Sequence, residues 1–190
     1  MNITDLLRRL DNLIRLGTIA AVDHAAARCT VKTGGLTVPN LPWQAQRAGS
    51  SRDWDAPTVG EQCIMLSPSG EPSQGVVLVG LYSQQRPAPS KSANLRRRTY
   101  PDGAVIDYDH STSTLTATLP EGGKAKITAT GGLHVIGPIT HEGDYTQIGN
   151  QNVTGTVIVS EDVIAGDISL VNHRTKGVTP GNGVSQGPTQ

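Results

Sequence analysis

The sequence predicts an all-β chain that opens with one short helix and closes with a stack of short strands. Three observations carry this. From Gly17 to Ser83, apolar residues recur at alternate positions in about five runs separated by turn residues. From Gly103 to Val171, 10 Thr, 8 Ile, 7 Val and 10 Gly occupy 69 positions, a fibrous β composition rather than a globular one. Within that half, glycine falls at Gly137, Gly143, Gly149 and Gly155, a constant step of six, and returns at Gly166. Each such glycine permits a turn with positive φ, and the residues between suit a pleated strand. Strands this short, with so few large side chains, bury too little surface to stand alone. Each rung needs neighbours, supplied either by a single-chain solenoid or by three intertwined chains, which also removes open sheet edges.

Residues 3–16 come first. Ile3, Leu6, Leu7, Leu10, Leu13, Ile14 and Leu16 follow a helical period, with Arg8, Arg9, Asp11 and Arg15 opposite and Asn2 or Thr4 as cap. Ile3, Leu7, Leu10 and Ile14 have the spacing of a coiled-coil seam, but for under two heptads, too short to hold an oligomer alone. The segment fits a helix that docks on a partner or helps to clamp a trimer formed elsewhere.

Residues 17–83 read as a small OB-like barrel. GTIAAVD, ARCTVKTGGLTV and LPWQAQRAG are successive strand runs, and EQCIMLSPSG and GVVLVGLYS flank a turn from Pro68 to Pro72. A nucleic-acid-binding barrel would interleave basic residues with exposed rings. Here Trp43 and Trp54 are the only rings before Tyr82, and 16 basic residues balance 16 acidic ones over the whole chain. Structural or protein contact is therefore expected, and no nucleic acid. Cys29 and Cys63 lack metal or disulfide spacing and read as small buried residues.

Residues 84–99 are rich in Pro, Ser and Arg without apolar period and read as a linker, with Arg96, Arg97 and Arg98 as solvated charges. Residues 100–171 form the strand stack. Ala104, Ile106 and Tyr108 share one face; Leu115, Ala117 and Leu119 alternate with threonines, and Ala125, Ile127 and Ala129 alternate with Lys124, Lys126 and Thr128. Residues 172–190 lose all periodicity and form an apical tail. No apolar run approaches the ~18 residues that span a bilayer, and no secretory signal is visible, so synthesis in a bacterial cytoplasm is expected.

Catalytic constellations are absent from the pattern. Asp107 and Asp109 share a strand face, and Glu161 adjoins Asp162, but no nucleophile motif accompanies them. His24, His110, His134 and His141 share no metal-ligand spacing, and turn or surface positions account for each. No enzyme activity is expected.

The order of these pieces resembles a known family. The barrel ending GVVLVGLYS, the arginine-bearing connector, then PDGAVIDYDHSTSTLTATLPEGGKAKITATGG and DVIAGDISL are similar to the central spike of contractile injection machines. That family comprises the baseplate assembly protein V of contractile-tailed phages, its counterpart in R-type pyocins and, more distantly, the type VI secretion spike. The resemblance implies a non-enzymatic homotrimer with a tapering triple-stranded β-helix, assembled into the baseplate of a phage or phage-tail-like bacteriocin. Its barrel collar and N-terminal helix would dock on a tail hub protein. Sheath contraction would drive the spike through a target cell's outer membrane, so that it acts outside the producing cell. Many family members carry a His-x-His pair after the DVIAGDISL-like segment, where three chains bind one metal ion, iron by this resemblance. Here His173 keeps the first position, but Thr175 stands at the second. Three copies of His173 with Asn172, water or backbone oxygens would complete a transition-metal shell, and a metal-free plug is the other option. A trimeric tail fibre that binds or cuts glycans is the alternative function.

Overall fold

In a computed structural model, residues 2–172, 174 and 181 are described. Two compact units result, Met1–Thr128 and Ala129–Gln190. The first is mostly β with one helix. Helix α1 spans Ile3–Leu13, and its cap is Asn2, whose side chain accepts from the Thr4 amide at 3.1 Å. The helix stops three residues short of the expected end. Ile14 is β-branched and already extended, and it pairs with Leu66 as the first residue of strand β1 (Ile14–Asp23). The Ser67 amide donates to the Leu13 carbonyl at 2.9 Å, satisfying an otherwise open acceptor at the helix end.

Strands β2 (Arg28–Thr33), β3 (Leu36–Leu41), β4 (Gln62–Leu66) and β5 (Val76–Leu81) complete an antiparallel sheet in the order β3-β2-β1-β4-β5. Strand β1 serves two partners: Ile14–Thr18 pair with β4, and Thr18–Asp23 pair with β2. Gly17 sits where the partner changes. A Cβ there would lie 2.7 Å from Val31 Cγ1 and 2.8 Å from the Lys32 carbonyl oxygen, so only glycine admits so close an approach. The opposite edges meet through Trp43, which bridges Val77 in parallel. Val77 donates to the Pro42 carbonyl at 2.9 Å and accepts from the Gln44 amide at 2.8 Å. This joins β3 to β5 and closes the five strands as an OB-like barrel. The run LPWQAQRAG therefore contributes one bridge rather than a separate strand.

Ile19, Cys29, Val31, Val38, Leu41, Cys63, Met65 and Val77 fill the barrel. The filling is small and β-branched, as a chain without Phe requires. Burial pushes the Cys63 thiol up to about 11, with smaller contributions from Cys29 and Glu61, and burial alone raises Cys29. Both are packing residues with inert thiols.

A three-stranded antiparallel sheet follows: β6 (Leu95–Thr99), β7 (Val105–Asp109) and β8 (Thr114–Thr118). Strand β6 corrects the linker expectation, since the connector's last five residues are paired. Arg97 lies directly opposite Asp107, and its guanidinium meets that carboxylate at 2.9 and 2.6 Å. Arg98 reaches Asp55 at 2.8 Å and lies over the Tyr100 ring. Both partners are distant in sequence, so the strand shows no apolar period of its own.

Beyond β8 the described chain forms no strand until β9 (Ile164–Ala165) and β10 (Ile168–Ser169), a small hairpin turning at Gly166. The alternating segment from Lys124 to Ala129 is thus not a strand here, because no other described segment pairs with it. Among the described residues no helix is long and apolar enough to cross a membrane.

Helix α1 rests on the turn Pro68–Gly70, where Gly70 has φ +69 and abuts the Arg9 backbone. Replacing Gly70 with Ala places a Cβ on that backbone and strains φ as well. The Gly70→Ala protein should lose α1 protection in limited proteolysis while the barrel's melting transition stays within a few degrees.

Candidate functional site

The chain exposes apolar surface in three places. On α1, Ile3, Leu7 and Leu10 are exposed, and Ile14 and Leu16 extend the same character onto β1. Asp5 holds Arg8 at 2.7 Å and Arg9 at 3.1 Å, and these paired charges need nothing more from a partner. On the β6–β8 sheet, Tyr108 opposes Leu115 and Ile106 opposes Ala117, which puts the expected apolar positions on one face. That face is open, with Leu115 72% exposed. The third surface is the glycine-stepped stretch, where Val153, Val157, Ile158 and Val163 are all exposed.

The glycines act there as the spacing predicts. Gly137, Gly143, Gly149 and Gly155 all have positive φ, between +107 and +142. Such backbone is closed to β-branched residues and open to glycine. The stretch is therefore a series of extended segments with corners every six residues.

The hairpin β9–β10 ends this stretch and fixes the chain that leads to the tail. Asp162 is its anchor. Its Oδ1 accepts the Val163 amide at 2.8 Å and the Val171 amide at 3.1 Å, closing the hairpin's two ends on one carboxylate. Ser169 Oγ accepts the Asn172 amide at 2.8 Å. Hydrogen bonding from Ser169, then from Val171, holds Asp162 below the usual carboxylate range. Asn172 is thereby placed at the hairpin's exit, whereas His173 lies outside the described residues.

Three of the four carboxylates singled out in the sequence, Asp107, Asp109 and Asp162, hold local structure. Arg97 engages Asp107 in two hydrogen bonds, which lower its pKa, and Asp109 accepts both the amide and the hydroxyl of Ser111. Asp162 closes the hairpin. Sequence pattern alone did not pair Arg97 with Asp107; their equal distance from the β6–β7 turn was the available signal. Among the described residues of one chain, no three His, Cys, Asp or Glu converge on a metal position.

A barrel built from β1 to β5 followed by glycine-cornered β segments can now be set beside known proteins. The model of the type VI secretion system and phage-baseplate injector OB domain matches residues 15–82, which coincide with β1–β5. The spike protein of Escherichia phage P2 is 41% identical over 170 residues, covering 84% of this chain and 79% of that protein. The chain belongs to the phage baseplate spike family. Its function is structural, that of a central spike.

Asp162 makes the hairpin pH-sensitive in a defined direction. Its pKa is depressed below the ordinary 3.8, so its contribution is complete above about pH 4 and is lost as pH falls through the lowered value. Protection of the Val163 and Val171 amides, taken relative to the intrinsic exchange rate at each pH, should fall on acidification below that range, and Asp162→Ala should show the same loss of protection at neutral pH.

Proposed function

We propose that three copies of this chain wind around one another from residue 100 onward into a triple-stranded β-helix, a needle that pierces the outer membrane of a target bacterium. One observation carries the proposal. A stretch of strand-forming residues, cornered by positive-φ glycines every six positions, forms no strand within its own described chain and leaves its Val and Ile side chains exposed. Backbone amides and carbonyls need partners, and β-branched side chains need cover. Three equivalent chains supply both, and they leave no free sheet edge along the needle. The barrels then form a collar, and the exposed apolar side of α1 and β1 is the surface that meets the tail hub among other baseplate proteins. Sheath contraction supplies the force, and a needle paired between chains resists local unravelling under that load.

The apex is the place for a metal ion. One His173 per chain gives three imidazoles, a donor set suited to a transition metal with positions left for water or for Asn172. The hairpin fixes the chain up to Asn172, which favours three equivalent arrivals at the axis. The ion, iron by family resemblance, would cross-link three chain ends without altering the fold below them.

Two tests separate these statements. The native protein should have a mass of about 60 kDa by light scattering, three times 19.9 kDa. Val157→Asp brings three carboxylates into the needle and should give monomers, whereas Ile158→Asp, on the opposite side of the strand, should remain trimeric. Monomeric native protein, or a trimeric Val157→Asp variant, contradicts the needle. For the apex, His173→Ala should keep the mass and lower transition-metal content by about one ion per trimer.

A further inference from the structure

The glycine-stepped stretch has two unequal sides. Odd positions carry Val135, Ile139, Val153, Val157 and Val159, together with every corner glycine from Gly137 to Gly155. Apolar residues at even positions stand further out: Ile136, Ile148 and Ile158 are 88%, 98% and 91% exposed, against 47% to 72% for the odd-position residues just named. The odd side is the sheltered one.

A ring contact identifies it as the inside of the corners. His141 and Tyr145 are four residues apart, about 13 Å in extended chain at ~3.3 Å per residue. Their ring centroids are nevertheless 5.8 Å apart, edge to face. The chain closes that distance by turning at Gly143, φ +107, toward the side that bears both rings. Tyr145 Oη then donates to Gln147 Oε1 at 3.3 Å, and Gln147 Nε2 donates to the Asn150 carbonyl at 2.9 Å around the next corner, Gly149. His141, Tyr145 and Gln147 thus form a polar band on a side that is apolar both before and after it.

We propose that His141 from three copies forms a second metal site inside the needle, about midway along it, binding one divalent transition-metal cation. This rests on the trimeric reading above, in which the inner side of every corner faces the common axis. Three neutral imidazoles at one level are a recognised ligand set for such ions, with water free to complete the shell. The Tyr145 ring packs against the imidazole and orients it, as ligating histidines require. Glu142 and Asp144 occupy even positions, on the other side, so the ring is uncharged apart from the ion. Ligand spacing in the sequence cannot reveal the site, because each copy contributes one histidine.

Zinc is the probe, in full-length protein lacking the apical ligand. The His173→Ala variant is loaded with excess zinc, passed through gel filtration, and assayed for mass and bound metal on one peak. The expected result is a trimer with about one zinc per trimer, lost in the double variant with His141→Ala and in that with His141→Gln, both still trimeric. A trimeric His173→Ala protein without zinc, or a double variant that keeps it, overturns this site and leaves the needle standing. A monomeric His173→Ala protein overturns the needle and the site together.

Discussion

Backbone hydrogen bonding is the constraint on which this structure depends. Every buried amide and carbonyl must find a partner, and a strand has only what a neighbouring strand provides. The first unit meets the requirement internally. Strand β1 divides itself between β4 and β2, and the Trp43–Val77 bridge joins the remaining edges. From Leu119 to Val163 the described chain forms no strand, although its composition is that of one. The same polymer chemistry thus yields a closed barrel in one half and, in the other, a described segment without paired strands.

Side-chain size reinforces the division. The barrel is filled by eight residues, none aromatic, and the fit depends on close backbone approach at Gly17. Such a core is modest but self-contained within one chain. Beyond it, Val and Ile stand exposed around glycine corners. Their burial is what the proposed assembly of three chains would supply. In the proposed needle, strands paired between chains would leave no open sheet edge from which force could peel them.

Much of this was legible in the sequence, for identifiable reasons. Period-two alternation marked most of the strands of the barrel and the faces of β7 and β8, because one side of each strand meets apolar neighbours. The six-residue glycine step marked the corners, since few other residues adopt that backbone. What escaped was set by distant partners. Strand β6 is held by Asp107 and Asp55 rather than by apolar alternation. The end of α1 is decided by pairing between Ile14 and Leu66, although Ile14 and Leu16 continue the helical period. The segment at Lys124–Ala129 has a strand's pattern without a strand's partner. His141 looked like an isolated surface residue because the corner at Gly143, which brings Tyr145 to it, is a three-dimensional fact.

Hydrogen exchange of the native full-length protein, read by mass spectrometry on peptides covering residues 150–160, tests the central claim most directly. Pairing between copies predicts that amides around Val153, Val157 and Val159 exchange many orders of magnitude more slowly than free chain, as slowly as those of the barrel. Exchange there at free-chain rates, beside a protected barrel, would show that the stretch has no partners and would contradict the needle.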